Sequence, residues 1–160
     1  MMGVGKSTLG KIVAKKLKLK FIDTDLSIEK KISMKIAEIF KNKGESFFRD
    51  LEEREVLESL KRNNHIIALG GGAFMNKNIR DTILQNAISI WLDIDLKAIN
   101  RRIKWNKKRP LVDTKNTREI IKKLYIKRKN IYKMADHKIK CDNLSKENIA
   151  NKIIDFYEKY

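Results

Sequence analysis

The stretch that decides the fold opens the chain and reads MMGVGKST, Met1–Thr8. A phosphate-binding loop consists of a glycine, any four residues and then Gly-Lys-Ser or Gly-Lys-Thr, and only the leading glycine is missing here. Gly3 and Gly5 allow the backbone to wrap so that its amide hydrogens point at phosphate oxygens. Lys6 is expected to bridge the β and γ phosphates of a nucleotide, and Ser7 to hold Mg²⁺ through its hydroxyl. The predicted ATP-binding residues are Gly3, Val4, Gly5, Lys6, Ser7 and Thr8.

A loop of this type normally joins a buried central strand to a helix. The first glycine of the motif would fall immediately before Met1, and no strand pattern precedes the loop. We therefore expect an apolar run ending in glycine upstream of Met1. Without that strand, two neighbouring strands would lose a ladder partner, and both stability and activity would suffer.

Length and composition indicate one domain. The 160 residues suffice to bury a core, and no run of 18 apolar residues could span a membrane. Cys141 is the single cysteine, so no internal disulfide can form, and we expect a small buried side chain and a reducing cytoplasm. The net charge is +17, but its lysines are spread over nearly every predicted helix rather than gathered in one patch. This distribution does not favour a nucleic-acid partner, although it would attract anionic substrates.

Helical patterns alternate with short apolar runs, which predicts an α/β fold with a parallel sheet. Strands are predicted at 20–23, 65–69, 87–92 and 138–141. Helices are predicted from Lys6, at 26–43 with a break near Ser33, and at 45–62, 77–85, 96–104 and 117–135, with a last helix capped by Ser145. The polar segment 105–116 has no periodicity and is predicted to be a loop.

Three further groups fall where an acceptor site would need them. Asp23 and Asp25 follow a predicted strand, at the edge where open α/β sheets bind ligands, so one could serve Mg²⁺ and the other accept a proton. Acidic residues there are equally often helix caps. Three glycines at 70–72 follow another strand and either let amides approach a ligand or form a plain turn. Arg49 lies one helical turn before Glu52, which could orient it, although a solvated arginine is the commoner case.

Taken together, these pieces resemble the signature of the shikimate kinase family. The matching pieces are the loop at 2–8, Phe21-Ile22-Asp23-Thr24-Asp25, Phe48-Arg49 with Glu52, Gly70-Gly71-Gly72-Ala73, Arg109-Pro110-Leu111, and Arg128 with Tyr132 and Ala135. They agree in order and spacing from Met1 to at least Ala135. The resemblance implies a P-loop three-layer fold with a five-stranded parallel sheet, whose first strand is missing here. It also implies a single domain over 1–160, with substrate-binding helices at about 26–62 and a lid at about 105–116.

The same resemblance implies an activity, the transfer of the γ-phosphoryl of ATP to the 3-hydroxyl of shikimate, on the route to chorismate and aromatic amino acids. It implies a monomer that acts with Mg²⁺. Lys6, Asp25 and Arg109 would be the catalytic residues, with Asp25 as the base and Arg109 reaching the transferred phosphate from the lid. Asp23 would join Ser7 in the Mg²⁺ shell.

Binding roles follow from the resemblance in the same way. Arg49 and Arg128 would grip the shikimate carboxylate, and Gly71 and Gly72 would contact the substrate through their backbones. On the nucleotide side, the adenine ring would lie between two residues, Arg102 and Asn143.

Two other interpretations of the sequence stay open. Another small-molecule P-loop kinase, such as a gluconate kinase, shares the phosphate loop but not the Asp-Thr-Asp, Phe-Arg and triple-glycine set. A non-catalytic ATP-binding or nucleic-acid-binding module would also agree with the short amino end and the positive charge.

Overall fold

The computed structural model of the chain describes residues 4–96, 98 and 117–160. Helices and strands alternate along these residues, as the sequence predicts. The helices are α1 (Lys6–Lys16), α2 (Thr24–Ile32), α3 (Ile36–Leu60), α4 (Lys77–Asn86), α5 (Thr117–Tyr132) and α6 (Lys146–Tyr157), with a short 3₁₀ helix at Ala73–Met75. The strands are β1 (Lys20–Asp23), β2 (His65–Ala68), β3 (Ile90–Asp93) and β4 (His137–Lys140).

The four described strands form two parallel pairs. In the first pair β1 lies beside β2, in a register that runs from Lys20 opposite His65 to Asp23 opposite Ala68. In the second pair β3 lies beside β4, starting with Ile90 opposite His137. The prediction of an α/β fold with parallel strands is therefore confirmed.

Helix α1 carries the phosphate loop and packs against β1, β2 and α6. Its apolar side buries Leu9 and Val13. Gly10 faces the ring of Phe21 so closely that a Cβ at this position would overlap the ring, so the helix can approach β1 only with glycine there. The helix start is thereby held at the carboxyl end of the first strand pair.

The region between β1 and β2 is helical, with two interruptions that the sequence predicts. Ser33 adopts a left-handed conformation (φ 53°) and ends α2. Gly44 (φ 86°, ψ 171°) interrupts α3 with a kink, because only glycine takes this conformation readily. A small apolar cluster of Ile28, Ile39 and Phe48 holds α2 against α3.

The second strand pair is tied together at its amino end by a reciprocal contact. The backbone N–H and the hydroxyl of Ser89 both donate to a carboxylate oxygen of Asp136, at 2.8 and 2.6 Å. The N–H of Ser89 is thus bound to a side chain, while its carbonyl accepts from the N–H of His137 at 3.1 Å. Strand β3 begins at Ile90, so the predicted start at residue 87 is wrong. The predicted helix end at 135 is also wrong, since α5 ends at Tyr132 and continues as a turn.

Cys141 is buried directly after β4, as expected for a small side chain in the core. No helix in the described part of the chain is both long and apolar enough to cross a bilayer. The predicted helix at 96–104 lies largely outside the described residues, and the predicted lid at 105–116 lies wholly outside them.

Candidate active site

The start of α1 suits an anion. Gly5 precedes the helix with φ 93°, a left-handed conformation, and Lys6 is the first helical residue. The first turn contains no acidic residue, so the partial positive charge of the helix start is not neutralised by its own side chains. Ser7 and Thr8 are exposed on this turn, whereas Val4 is buried beneath it. Predicted ATP ligands are thus placed around one helix start; Gly3 lies outside the described residues.

Ser7 and Asp23, the two predicted Mg²⁺ ligands, are in direct contact. The Ser7 hydroxyl donates to the Asp23 carboxylate at 2.5 Å. The other oxygen of Asp23 accepts from the backbone N–H of Leu26 at 3.2 Å and so caps α2. Asp23 therefore fills the capping role that the sequence left open and still presents an oxygen beside the phosphate loop.

This oxygen pair fits Mg²⁺, which prefers hard oxygen ligands and needs only one or two from the protein when phosphates supply others. Among residues 4–96, 98 and 117–160, no group of three or more His, Cys, Asp or Glu side chains could hold a metal by itself. A metal centre made of protein ligands alone is therefore not found in this part of the chain. The Ser7–Asp23 pair is the candidate site for Mg²⁺.

Thr24 connects the acidic end of β1 to the three glycines at 70–72, called the glycine loop below. It is completely buried, and its hydroxyl donates to the carbonyl of Ala68 and accepts from the N–H of Gly70, at 3.3 and 3.2 Å. These two bonds hold the glycines at a set distance from Asp23 and Asp25. No role for Thr24 could be predicted from the sequence, because both of its partners lie more than forty residues away.

Replacing Thr24 with valine should lower the free energy of unfolding by about 1–3 kcal/mol, because the Gly70 N–H stays buried and loses its acceptor. Urea denaturation measures this change. Thr24→Ser retains the hydroxyl and should lose less stability than the valine variant. A valine variant as stable as the starting protein would show that the two hydrogen bonds do not contribute to stability, and a serine variant that loses as much as the valine variant would show that the methyl group contributes equally.

Asp25 and Glu52 meet at Gly70. A Cβ added to Gly70 would lie 2.6 Å from an Asp25 carboxylate oxygen and 2.5 Å from a Glu52 carboxylate oxygen. Glu52 is 2% exposed, and burial raises its pKa, assisted by the nearby Asp25 and opposed by the hydrogen bond from Arg49. The predicted base Asp25 thus lies beside the glycine loop. It is next to the buried carboxyl group of Glu52, the residue that the sequence predicts to orient Arg49.

Arg49 is held over the same loop by two carboxylates. Its Nη1 donates to Glu52 at 2.6 Å, and its Nη2 donates to Glu45 at 3.0 Å. A Cβ on Gly72 would lie 2.5 Å from Nη1. The predicted orientation of Arg49 by Glu52 is present in the structure, and Glu45 is a second partner that its i−4 spacing could have revealed.

Arg128 reaches the loop from α5, on the other side of the site. Its Nη1 donates to the Gly71 carbonyl at 2.8 Å, and the Tyr132 hydroxyl donates to the same oxygen at 2.5 Å. Burial raises the pKa of Tyr132 above its usual range, so the phenol keeps its proton near neutral pH. Two arginines that are 79 positions apart therefore border one glycine loop.

A methyl group at Gly70 should disturb this convergence. Gly70→Ala would push against Asp25 and Glu52 together, and we expect the KM for the acceptor to rise by about tenfold or more while the KM for ATP changes little. Gly44→Ala offers a matched control, because no atom lies within 4 Å of the added methyl group there, although its left-handed φ costs stability. An unchanged acceptor KM in Gly70→Ala would contradict the placement of the acceptor beside Asp25.

Three predicted site residues remain, Arg102, Arg109 and Asn143. Arg102 and Arg109 lie outside the described residues. Asn143 is exposed and adopts a left-handed conformation (φ 57°) in the turn after β4. Its neighbour Asp142 accepts from the N–H of Asp95 at 2.7 Å, which joins the turns that follow β3 and β4.

A helix start that suits phosphate, beside a glycine loop bordered by two guanidinium groups, is the arrangement of P-loop kinases that act on small molecules. The chain belongs to this class by its fold and by the placement of its site. Comparison with known proteins narrows the class to one family.

The family model described as Shikimate kinase matches residues 2–158. A curated shikimate kinase of Bartonella henselae is 41% identical over the whole chain, which covers 76% of that relative, and one of Persephonella marina is 42% identical, with 96% of this chain and 92% of the relative covered. The structure of a shikimate kinase from Acinetobacter baumannii in complex with shikimate superposes with a TM-score of 0.93 at 30% identity, covering 99% of this chain and 89% of that one. The chain belongs to the shikimate kinase family and is an ATP-dependent phosphotransferase.

Proposed function

We propose that this protein transfers the γ-phosphoryl group of ATP to the 3-hydroxyl of shikimate and releases ADP and shikimate 3-phosphate. The observation that carries the proposal is the convergence of Arg49 and Arg128 on the glycine loop beside Asp25. Two fork-shaped cations suit a carboxylated acceptor, because guanidinium binds carboxylate through paired, charge-assisted hydrogen bonds. The relative solved with shikimate supports the same acceptor.

The acceptor end of the site is preorganised. Glu52 and Glu45 hold Arg49, and the carbonyl of Gly71 holds Arg128, before any ligand arrives. Because these side chains are already held in place, they lose less conformational entropy when the acceptor binds. A neutral acceptor would match this end less well, and we infer that the two arginines select an anionic acceptor, here through the carboxylate of shikimate.

At the donor end, Lys6 and the amides at the start of α1 would hold the outer phosphates of ATP. Ser7 and Asp23 would hold Mg²⁺, which when bound neutralises charge on the transferred phosphoryl group. Since their oxygens already lie 2.5 Å apart, little rearrangement is needed to present both to one cation. Arg109 and the adenine-binding residues Arg102 and Asn143 belong to this end of the proposal.

Asp25 would orient the attacking hydroxyl and accept its proton as the bond to phosphorus forms. Phosphoryl transfer needs little covalent chemistry from the protein, so positioning the hydroxyl against the phosphate supplies most of the rate. In that role Asp25 must be ionised.

A coupled assay of ADP release tests the proposal with ATP, Mg²⁺ and one acceptor at a time. Shikimate should support turnover, whereas gluconate and water should not. Turnover with gluconate and none with shikimate would assign the chain to the rival kinase class. Salt-dependent binding of DNA without turnover of either acceptor would instead favour a non-catalytic module.

The single domain over 1–160, the helical substrate region at 26–62, the lid at 105–116, the monomeric state and the cytoplasmic location stay predictions. Gel filtration at several protein concentrations tests the monomer.

A further inference from the structure

The carbonyl of Gly71 accepts two hydrogen bonds, and both donors belong to helix α5. The hydroxyl of Tyr132 donates to it at 2.5 Å, and Nη1 of Arg128 donates to it at 2.8 Å. A carbonyl oxygen has two lone pairs, so these two donors satisfy it fully. Arg128 has a proposed role in binding the acceptor, whereas Tyr132 has no role in the proposed reaction.

The direction of the Gly71 carbonyl is not set by the turn to which it belongs. The carbonyl of Gly70 accepts from the N–H of Ala73 at 3.3 Å. The carbonyl of Gly72 accepts from the N–H of Met75 at 2.9 Å. The Gly71 carbonyl accepts from no backbone N–H of the described residues, and glycine has no side chain that would restrict the rotation of its peptide units. Its direction therefore depends on the two donors from α5.

Tyr132 is the more firmly fixed of these donors. Its side chain is 7% exposed, and its ring lies 6.0 Å from the ring of Trp91 and 6.4 Å from the ring of Phe74, between centroids. Both pairs are tilted, an arrangement that aromatic rings prefer. The phenol hydroxyl is therefore presented to Gly71 by a ring that β3 and the 3₁₀ helix hold in place.

Arg128 depends on the same carbonyl for its orientation. It is a longer and only half-buried side chain, with more torsion angles that can change. The guanidinium group is planar, so a bond from Nη1 to Gly71 restricts where its remaining N–H groups point. The phenol and the guanidinium are also close to each other. Burial raises the pKa of Tyr132, and the adjacent Arg128 opposes this rise.

We propose that Tyr132 is a positioning residue for the acceptor, whose hydroxyl holds the Gly71 carbonyl in the direction that orients the guanidinium of Arg128. The inference rests on the proposed function, because it takes Arg128 as a ligand of the shikimate carboxylate. Tyr132 acts through Gly71 and Arg128 and does not itself contact the acceptor. Without the hydroxyl, the carbonyl keeps one donor, and the peptide unit and Arg128 can turn together.

Replacing Tyr132 with phenylalanine tests the hydroxyl and keeps the ring with its contacts to Trp91 and Phe74. The KM for shikimate should rise by about three- to tenfold, the effect of one net hydrogen bond. The kcat and the KM for ATP should stay within about twofold, because the carboxylate is bound equally in the ground state and the transition state. Calorimetric titration with shikimate in the absence of ATP should show the same factor in Kd, independently of phosphoryl transfer.

The matched control is Tyr125→Phe, which removes a phenol hydroxyl from the same helix. Tyr125 donates to Asp93 at 3.2 Å and not to the glycine loop, so its removal should leave the KM for shikimate within about twofold. Equal rises in both variants would show a general loosening of α5 and would overturn the proposal. An unchanged KM and Kd for shikimate in Tyr132→Phe would also overturn it, even if this variant unfolded at a lower urea concentration.

A double-mutant cycle tests whether Tyr132 acts through Arg128. Arg128→Lys keeps the charge but removes the planar fork that the Gly71 carbonyl orients. In this background Tyr132→Phe should raise the KM for shikimate by less than it does in the starting protein, because residues that act through each other are not additive. Two factors that multiply fully would show independent effects and would contradict the positioning role.

The starting protein separates this inference from the proposed function. A starting protein that neither binds nor phosphorylates shikimate would overturn both. Turnover of shikimate by the starting protein, together with an unchanged shikimate KM in Tyr132→Phe, would overturn the role of Tyr132 alone.

Discussion

Replacing Lys6 with methionine should lower kcat for phosphoryl transfer by about 10²–10³-fold, the effect typical of removing one preorganised group that stabilises developing charge. Lys6 is the first residue of α1, directly after the left-handed Gly5, where it can reach the outer phosphates. Methionine keeps an unbranched apolar stem of similar length. The contacts of the apolar stem are therefore retained while the ammonium group is removed.

The control is Lys15→Met, which removes the same charge from an exposed position at the other end of α1. Its kcat and its KM for ATP should stay within about twofold of the starting protein, since an exposed charge at this distance is screened. Circular dichroism should show both variants folded. A Lys6→Met protein that keeps a third or more of its kcat would contradict the assignment of the phosphate loop.

Element types could be predicted from the sequence because they depend on local chemistry. The interruptions at Ser33 and Gly44 lie where the pattern indicates them, and Ser145 caps α6 by accepting from the Asn148 N–H. Boundaries were less accurate where contacts between distant residues accompany them. At the start of β3 the N–H of Ser89 donates to Asp136, and these residues are 47 positions apart.

The candidate site also combines contacts that local sequence predicts with contacts between distant residues that it does not predict. The neighbour relation of Arg49 and Glu52 follows from helical spacing, and the acidic residues after β1 follow from the position of the strand end. The meeting of Arg128 with Gly71 could be expected only through the family resemblance, because nothing local connects α5 with the end of β2. Thr24, which joins β1 to the glycine loop, was missed for the same physical reason.

Replacing Arg49 with alanine should raise the KM for shikimate by about 30- to 150-fold, which corresponds to the loss of about 2–3 kcal/mol from a charge-assisted pair. The KM for ATP should change by less than about threefold, since Arg49 lies over Gly72 and not beside α1. Arg49→Lys keeps the charge but not the planar fork, so it should recover only part of the loss. Initial rates over a matrix of shikimate and ATP concentrations separate the two constants.

A second effect of Arg49→Ala must be separated from this loss. Glu52 is buried, and the hydrogen bond from Arg49 opposes the rise of its pKa, so removal of Arg49 should raise that pKa further and weaken the start of the glycine loop. Arg54→Ala is the matched control, because it removes an exposed arginine from the same helix. If Arg49→Ala and Arg54→Ala gave the same shikimate KM, the carboxylate of the acceptor would not lie at Arg49, and the acceptor site proposed here would be wrong.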